Sequence, residues 1–341
     1  MAPSSFRTHI PRRRLLRAGL LPLLSGITLA PCLSSTAQAQ AWPSKPVRLV
    51  IPFPPGGATD IIGRVLALRL SAQLGQQVTI ENRPGAGGTI GADTVAKSAP
   101  DGYTLVLATG STHSVGPAIN PAKLPYNAFK DFTPIVHVAN AVNVMVVGRD
   151  FPAKTLKEAV ALMKAAPGRY NFGSSGIGTY PHLVAEMFKW RAGGLYAVHI
   201  PYRGTQLVIS DLVSGQIAFL MDSVVSAQPN LRDGRVRALA VTGNRRSSVL
   251  PNVPTFAEGG VPGMDQSNWF GLFGPAGMPT DIAERMRREV NTALKSPDLI
   301  ERFDKVGAEP VGGTAEQFVK TYTDEYESWK AVIKRANITP E

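Results

Sequence analysis

Cysteine is almost absent from this chain: Cys32 is the only one in 341 residues. One thiol allows no internal disulfide and no cysteine-based metal site. Histidine is scarce too, five residues scattered along the chain with no H-E-x-x-H spacing to hold zinc. Neither G-x-G-x-x-G nor a Gly-Lys-Ser/Thr phosphate loop occurs, so no cofactor and no metal are predicted. Long apolar runs are also missing. The stretch from Leu15 to Leu33 is broken by Gly19, Pro22, Gly26 and Pro31, which argues against a membrane-spanning helix.

The first 39 positions carry no acid and five arginines (Arg7, Arg12, Arg13, Arg14 and Arg17). They end in the small-residue pattern Ala37-Gln38-Ala39, which reads as an export signal cleaved after Ala39. "RRRLLR" resembles a twin-arginine signal. Cleavage removes Cys32 and lowers the net charge from +11 to +6 over the remaining 302 residues. A mildly basic mature chain suits a small anionic ligand, and a nucleic-acid partner loses its main support.

Strand and helix signals alternate through most of the mature chain, which predicts an α/β architecture. "RLVIPFPPGGATDIIGRVLA" (48–67) reads as a buried strand, a Pro-Gly turn and a helix. "VTIEN", "GTIGADTVAKSA" and "YTLVLATG" continue a βαβαβ series, and "VNVMVVG" (142–148) is a further apolar strand. Thr155 with Glu158 predicts a capping box, as does Thr314 with Gln317, while Thr280 is the expected cap of the helix after it. Residues 252–279 are rich in Gly and Pro and separate the alternating block from polar C-terminal helices. This layout predicts two lobes, residues 40–143 plus 265–341 and residues 144–264, with a ligand cleft between them.

The opening turn is the first candidate site. A helix starting near Thr59 presents free backbone N–H groups and the positive end of its dipole to an anion. Gly56 and Gly57 clear side chains from the approach. The alternative is a tight turn with Thr59 or Asp60 as helix cap. A second strand–glycine loop–helix unit, "YNFGSSGIGTYPHLVAEMF" (170–188), adds the hydroxyls of Ser174, Ser175 and Thr179 beside Gly178. Two such loops, one per lobe, can close on one ligand. Thr109 and Ser111 follow a strand, Arg203 and Thr205 precede a helix, and Asp222 ends a strand, so each is a further candidate for the cleft. Ser175, His182 and Asp222 also permit a triad on paper, which keeps a secreted α/β hydrolase of small esters as the alternative function.

The motifs "WPSKPVRLVIPFPPGGATD", "ENRPGAGGTIGA", "DGYTL", "FGSSGIGT", "PYRGTQ", "GRVRALAVTGNRR", "LPNVPTFAEGG" and "WFGLFGPAGMP" occur in that order over nearly the whole mature chain. Together they resemble the Bug family of periplasmic solute receptors, the binding components of tripartite tricarboxylate transporters. The resemblance implies a type II, Venus-flytrap binding-protein fold, periplasmic location, no catalysis, and membrane permease partners. It implies a small carboxylate ligand (a di- or tricarboxylate, an amino acid or an aromatic acid) held by backbone amides and waters at the glycine loops. Carried over by position, the ligand loops are Pro54, Gly56, Gly57, Ala58, Thr59 and Asp60, and Ser174 through Thr179. "GTYPHL" departs from the pattern, with Tyr180 and Pro181 where small polar residues are commoner.

Overall fold

The computed structural model describes residues 42–338, so the predicted export signal lies outside the described residues. Among those described, no helix is long and apolar enough to cross a membrane.

The opening apolar run forms β1 (Val47–Ile51), parallel to β2 (Val78–Asn82) on one side and β3 (Thr104–Thr109) on the other. Helices α1 (Ala58–Leu74) and α2 (Thr89–Ala96) make the crossovers. Val47, Leu49 and Ile51 pack with Ile62, Leu66 and Leu70 of α1, which explains why this strand reads as an unbroken apolar run apart from Arg48. β3 is followed by a π-helical turn, Ser111–Val115, and a short helix α3 (Gly116–Ile119).

The strand seen in the sequence as 142–148 is the end of a much longer one, β4 (Phe132–Gly148). Its first part pairs antiparallel with β9 (Ser267–Pro275), from Phe132↔Pro275 to Val142↔Ser267. From Asn143 its partner is β7 (Phe219–Ser223), with β8 (Val236–Val241) on the other edge. A single strand therefore belongs to two sheets. β9 also pairs with β3, which closes the first sheet in the order β2-β1-β3-β9-β4. The second runs β4-β7-β5-β6, with β5 (Asn171–Ser174) parallel to β6 (Val198–Pro201) and to β7. Helices α4 (Leu156–Ala165), α5 (Tyr180–Arg191), α6 (Thr205–Val213) and α7 (Val224–Arg232) surround this second sheet's strands in sequence. Its cores form around Phe172, Phe188 and Phe219 and around Val146, Leu212 and Leu220.

The C-terminal region differs from the sequence expectation in three details. Thr280 is the first residue of α8 (Thr280–Leu294) and Pro279, at φ −54° and ψ 133°, takes the cap position with no side-chain cap bond. A separate helix, α9 (Pro297–Val306), follows before α10 (Ala315–Arg335). α10 also contacts both cores. Phe318 and Tyr322 pack with Trp269 and Phe273, whereas Trp329 sits edge-on to Tyr180 of α5 at 5.6 Å. The box at Thr314 and Gln317 is complete. At α4, Thr155 accepts from the Glu158 N–H, but the Glu158 carboxylate takes the Lys154 N–H, so that box is only half formed.

Candidate functional site

Five loops that follow β1, β3, β5, β6 and β7 converge on one cavity of about 300 Å³. The first begins at Phe53 and ends at Gly57, the N-cap of α1. Neither Thr59 nor Asp60 caps this helix, and Gly57 has no side chain to satisfy its first N–H groups. Those donors are left for whatever occupies the cavity. Gly56 sits at φ +81°, a left-handed conformation that glycine adopts freely. Asp60 is buried and turned away from the opening. It accepts from Gly56 N–H at 3.0 Å, Arg64 Nε at 2.9 Å and Asn82 Nδ2 at 2.9 Å. Burial raises the pKa of Asp60, but the hydrogen bonds from Arg64, Gly56 and Asn82 outweigh it and hold the carboxylate below its usual range. These bonds fix the shape of the loop.

The loop after β5 is organised the same way. Ser174 is fully buried, with Oγ 2.7 Å from His199 Nε2 and donating to the Gly176 carbonyl at 3.0 Å. Thr179 Oγ1 donates to the same carbonyl at 2.7 Å, and Gly178 N–H donates to His182 Nδ1 at 3.2 Å. Ser175 alone of these hydroxyls lines the cavity. The two sheets are tied together beside it: Tyr180 N–H, at the start of α5, donates to Ser111 Oγ at 2.9 Å.

Of the residues expected from the sequence, the cavity is lined by Pro54, Gly57, Ala58 and Thr59 of the first loop. Thr109, Ser111, Ser175 and Asp222 line it from other loops. Gly56, Asp60, Ser174, Gly178 and Thr179 lie outside the lining and act as loop supports. Pro181 does line it, while Tyr180 is buried and donates from its hydroxyl to the Ser267 carbonyl. Asn143, Asn268, Ser226, Gln206 and Leu207 also line the cavity and were not expected. A signal existed for two of them: Asn143 interrupts the apolar end of β4, VNVMVVG, and Asn268 stands beside the buried apolar run of β9 that starts at Trp269.

Among the described residues, Asp222 is the one buried carboxylate of the lining. Its Oδ1 accepts from Ser223 N–H at 2.8 Å and from Ser226 Oγ at 2.7 Å. Burial pushes its pKa up to about 7 against the opposing effect of those two bonds. The paper triad is not assembled. Ser175 Oγ donates to Thr179 Oγ1 at 3.4 Å, and His182 Nδ1 is occupied by Gly178 N–H. Among the described residues, no three His, Cys, Asp or Glu side chains gather as a metal site.

This cavity, open between two sheets that share β4, is the arrangement of a two-lobed solute-binding protein. A profile described as "Tripartite tricarboxylate transporter family receptor" matches residues 62–338. The chain belongs to this family. It is 37% identical over 303 residues to the protein named BugT of Bordetella pertussis (strain Tohama I), covering 89% of this chain and 92% of that one. Among solved structures it is similar to Rpa4515 of R. palustris with adipate, at TM-score 0.85 and 34% identity, covering 88% of this chain and 100% of the other. The periplasmic binding protein BugD gives TM-score 0.83 at 30% identity, covering 88% and 100%. The fold is thus the two-lobed α/β fold of the family's periplasmic receptors, and the family's role is solute binding.

Proposed function

We propose that the protein is a periplasmic receptor that closes two lobes on a small carboxylate and delivers it to the membrane permease of a tripartite transporter or to a sensor. The observation that carries this reading is the facing of the α1 N-terminus and the Ser175 loop across one cavity, each from a different sheet. Gly57, Ala58 and Thr59 offer backbone donors; Ser175, Thr109 and Ser111 add hydroxyls. Micromolar affinity needs about 8 kcal/mol. A hydrogen bond to a charged group contributes roughly 1.5–3 kcal/mol, so one loop with two or three donors falls short once the entropy of association is subtracted. Two loops closing together suffice.

On this reading the lobes are residues 40–143 plus 265–341 and residues 144–264. The switch of β4 from β9 to β7 between Val142 and Asn143 supports the first boundary. The start of β9 at Ser267 supports the second. Residues 1–39 direct export. The adipate held by Rpa4515 supports a carboxylate as the ligand class. Ser175 and His182 each bond to a group outside the Ser175–His182–Asp222 trio, which weighs against ester hydrolysis by it.

A thermal-shift screen of the purified exported protein against carboxylates, amino acids and aromatic acids tests the reading. Ligand at about a hundred times Kd adds roughly 2.7 kcal/mol. A shift with one chemical class, the ligand recovered intact, is the expected result; no shift with any acid in protein stripped of co-purified ligand overturns it.

A further inference from the structure

Three side-chain atoms that find no partner among the protein's own groups belong to residues of the cavity lining: Asn143 Nδ2, Asp222 Oδ2 and Asn268 Oδ1. The residues are 1%, 2% and 8% exposed. Asn143 stands where β4 changes partners, Asn268 is the second residue of β9, and Asp222 lies at the end of β7. The strands that join the two sheets therefore give the cavity a polar floor. Buried polar atoms without partners are rare in folded proteins, and a cluster of them at a cavity marks contacts that a ligand completes.

We infer that the ligand end reaching this floor is an ammonium, so that the receptor selects amino carboxylates over dicarboxylates. The inference rests on the receptor reading above and narrows its ligand class. Asp222 decides it. Its Oδ1 is already engaged by Ser223 and Ser226, which fixes the carboxylate plane and leaves Oδ2 for the ligand. Whichever way the two asparagine amides turn, Asp222 is the only ionisable group of the three. The one cation among the described residues of the lining is Arg203, on the exposed loop after β6, so a second ligand carboxylate at the floor is accepted only while Asp222 keeps its proton, with no cation among the three floor residues to offset it. An ammonium supplies three donors and an opposite charge. It also stabilises the ionised form of a carboxyl that burial, against the hydrogen bonds from Ser226 and Ser223, pushes up to about 7.

Calorimetric titration of the protein purified from the periplasm compares matched pairs: 5-aminopentanoate against glutarate, 6-aminohexanoate against adipate, and 4-(aminomethyl)benzoate against terephthalate. The panel of simple acids and α-amino acids is titrated alongside. The expected result is at least tenfold tighter binding of an amino member than of its dicarboxylate partner, with the gap reduced below threefold in Asp222→Asn. The wild-type pairs decide the matter by themselves if that variant does not fold. Equal affinity within the pairs, or binding confined to acids without an amino group, overturns the inference and leaves the receptor reading standing. No binding by any acid, amino or otherwise, overturns both.

Discussion

Gln206 and Gly56 are joined across the cleft: the Gln206 Nε2 donates to the Gly56 carbonyl at 3.1 Å. The first residue belongs to α6 beside the second sheet, the second to the loop after β1 in the first sheet. Nearby, Gly204 lies so close to Pro54 that a methyl group on it would sit 2.6 Å from the proline Cγ. These contacts hold the two sides of the cavity together at its exposed rim.

Gln206→Ala is expected to weaken ligand binding by about two- to fivefold, the lower part of the range for one neutral hydrogen bond of roughly 0.5–1.5 kcal/mol. The loss should appear as faster dissociation in stopped-flow fluorescence, with the melting temperature of the free protein nearly unchanged. An unaltered dissociation rate would show that the bridge plays no part in retaining the ligand.

Gly57→Val separates binding from folding. Gly57 has φ −78° and ψ 167°, a conformation open to any residue. A Cβ there would meet only the Pro54 carbonyl oxygen, at 3.7 Å. The variant should therefore fold and melt like the wild type while losing at least tenfold in affinity, because its side chain covers the α1 N–H groups. Calorimetry that returns wild-type affinity would remove this loop from the site.

Gly271→Ala should do the opposite. A Cβ on Gly271 would overlap the Phe318 ring, deep between β9 and α10. Overpacking of this kind costs about 1–3 kcal/mol, which lowers the melting temperature by a few degrees in a chain of this size. A melt that matches wild type would mean that Phe318 and α10 shift at no cost.

Asp222 makes stability depend on pH. Its folded pKa of about 7 stands above the ordinary value of 3.8, so between those values the folded chain keeps a proton that the unfolded chain releases. Its contribution is present at low pH and is lost as the pH rises through about 7, at up to about 1.4 kcal/mol per pH unit. His113 and His182 act with the opposite sign. Burial pushes both down to about 3, so they stay neutral in the fold while the unfolded chain takes up protons below pH 6.5. Subtracting the melting temperature of Asp222→Asn from that of the wild type, without ligand, isolates the carboxyl. That difference should become more negative from pH 4 to pH 8. A flat difference would show that Asp222 titrates at its ordinary value.

The two glycine loops were legible because each is a local unit. A strand that must be buried on both faces reads as an apolar run, a glycine turn ends it, and a helix period begins within a few residues. The detailed roles inside those loops were less legible. Asp60 looked like a ligand group, yet its partners Arg64 and Asn82 come from α1 and from the neighbouring strand, and only strand pairing brings Asn82 to it. Ser174 looked like a donor to the cleft, but β6 places His199 against its hydroxyl.

The sequence by itself determined the α/β alternation, the two glycine loops and, through the order of its motifs, the family. These follow from residue type and short spacing, which act over one or two elements of chain. Tertiary structure alone decided the floor of the cavity. Asn143, Asp222 and Asn268 are far apart along the chain and meet because β4 leaves one sheet for the other where β7 and β9 lie beside it. A polar atom in a buried strand costs stability wherever it lies, and only the crossing of those strands shows that these three line a cavity.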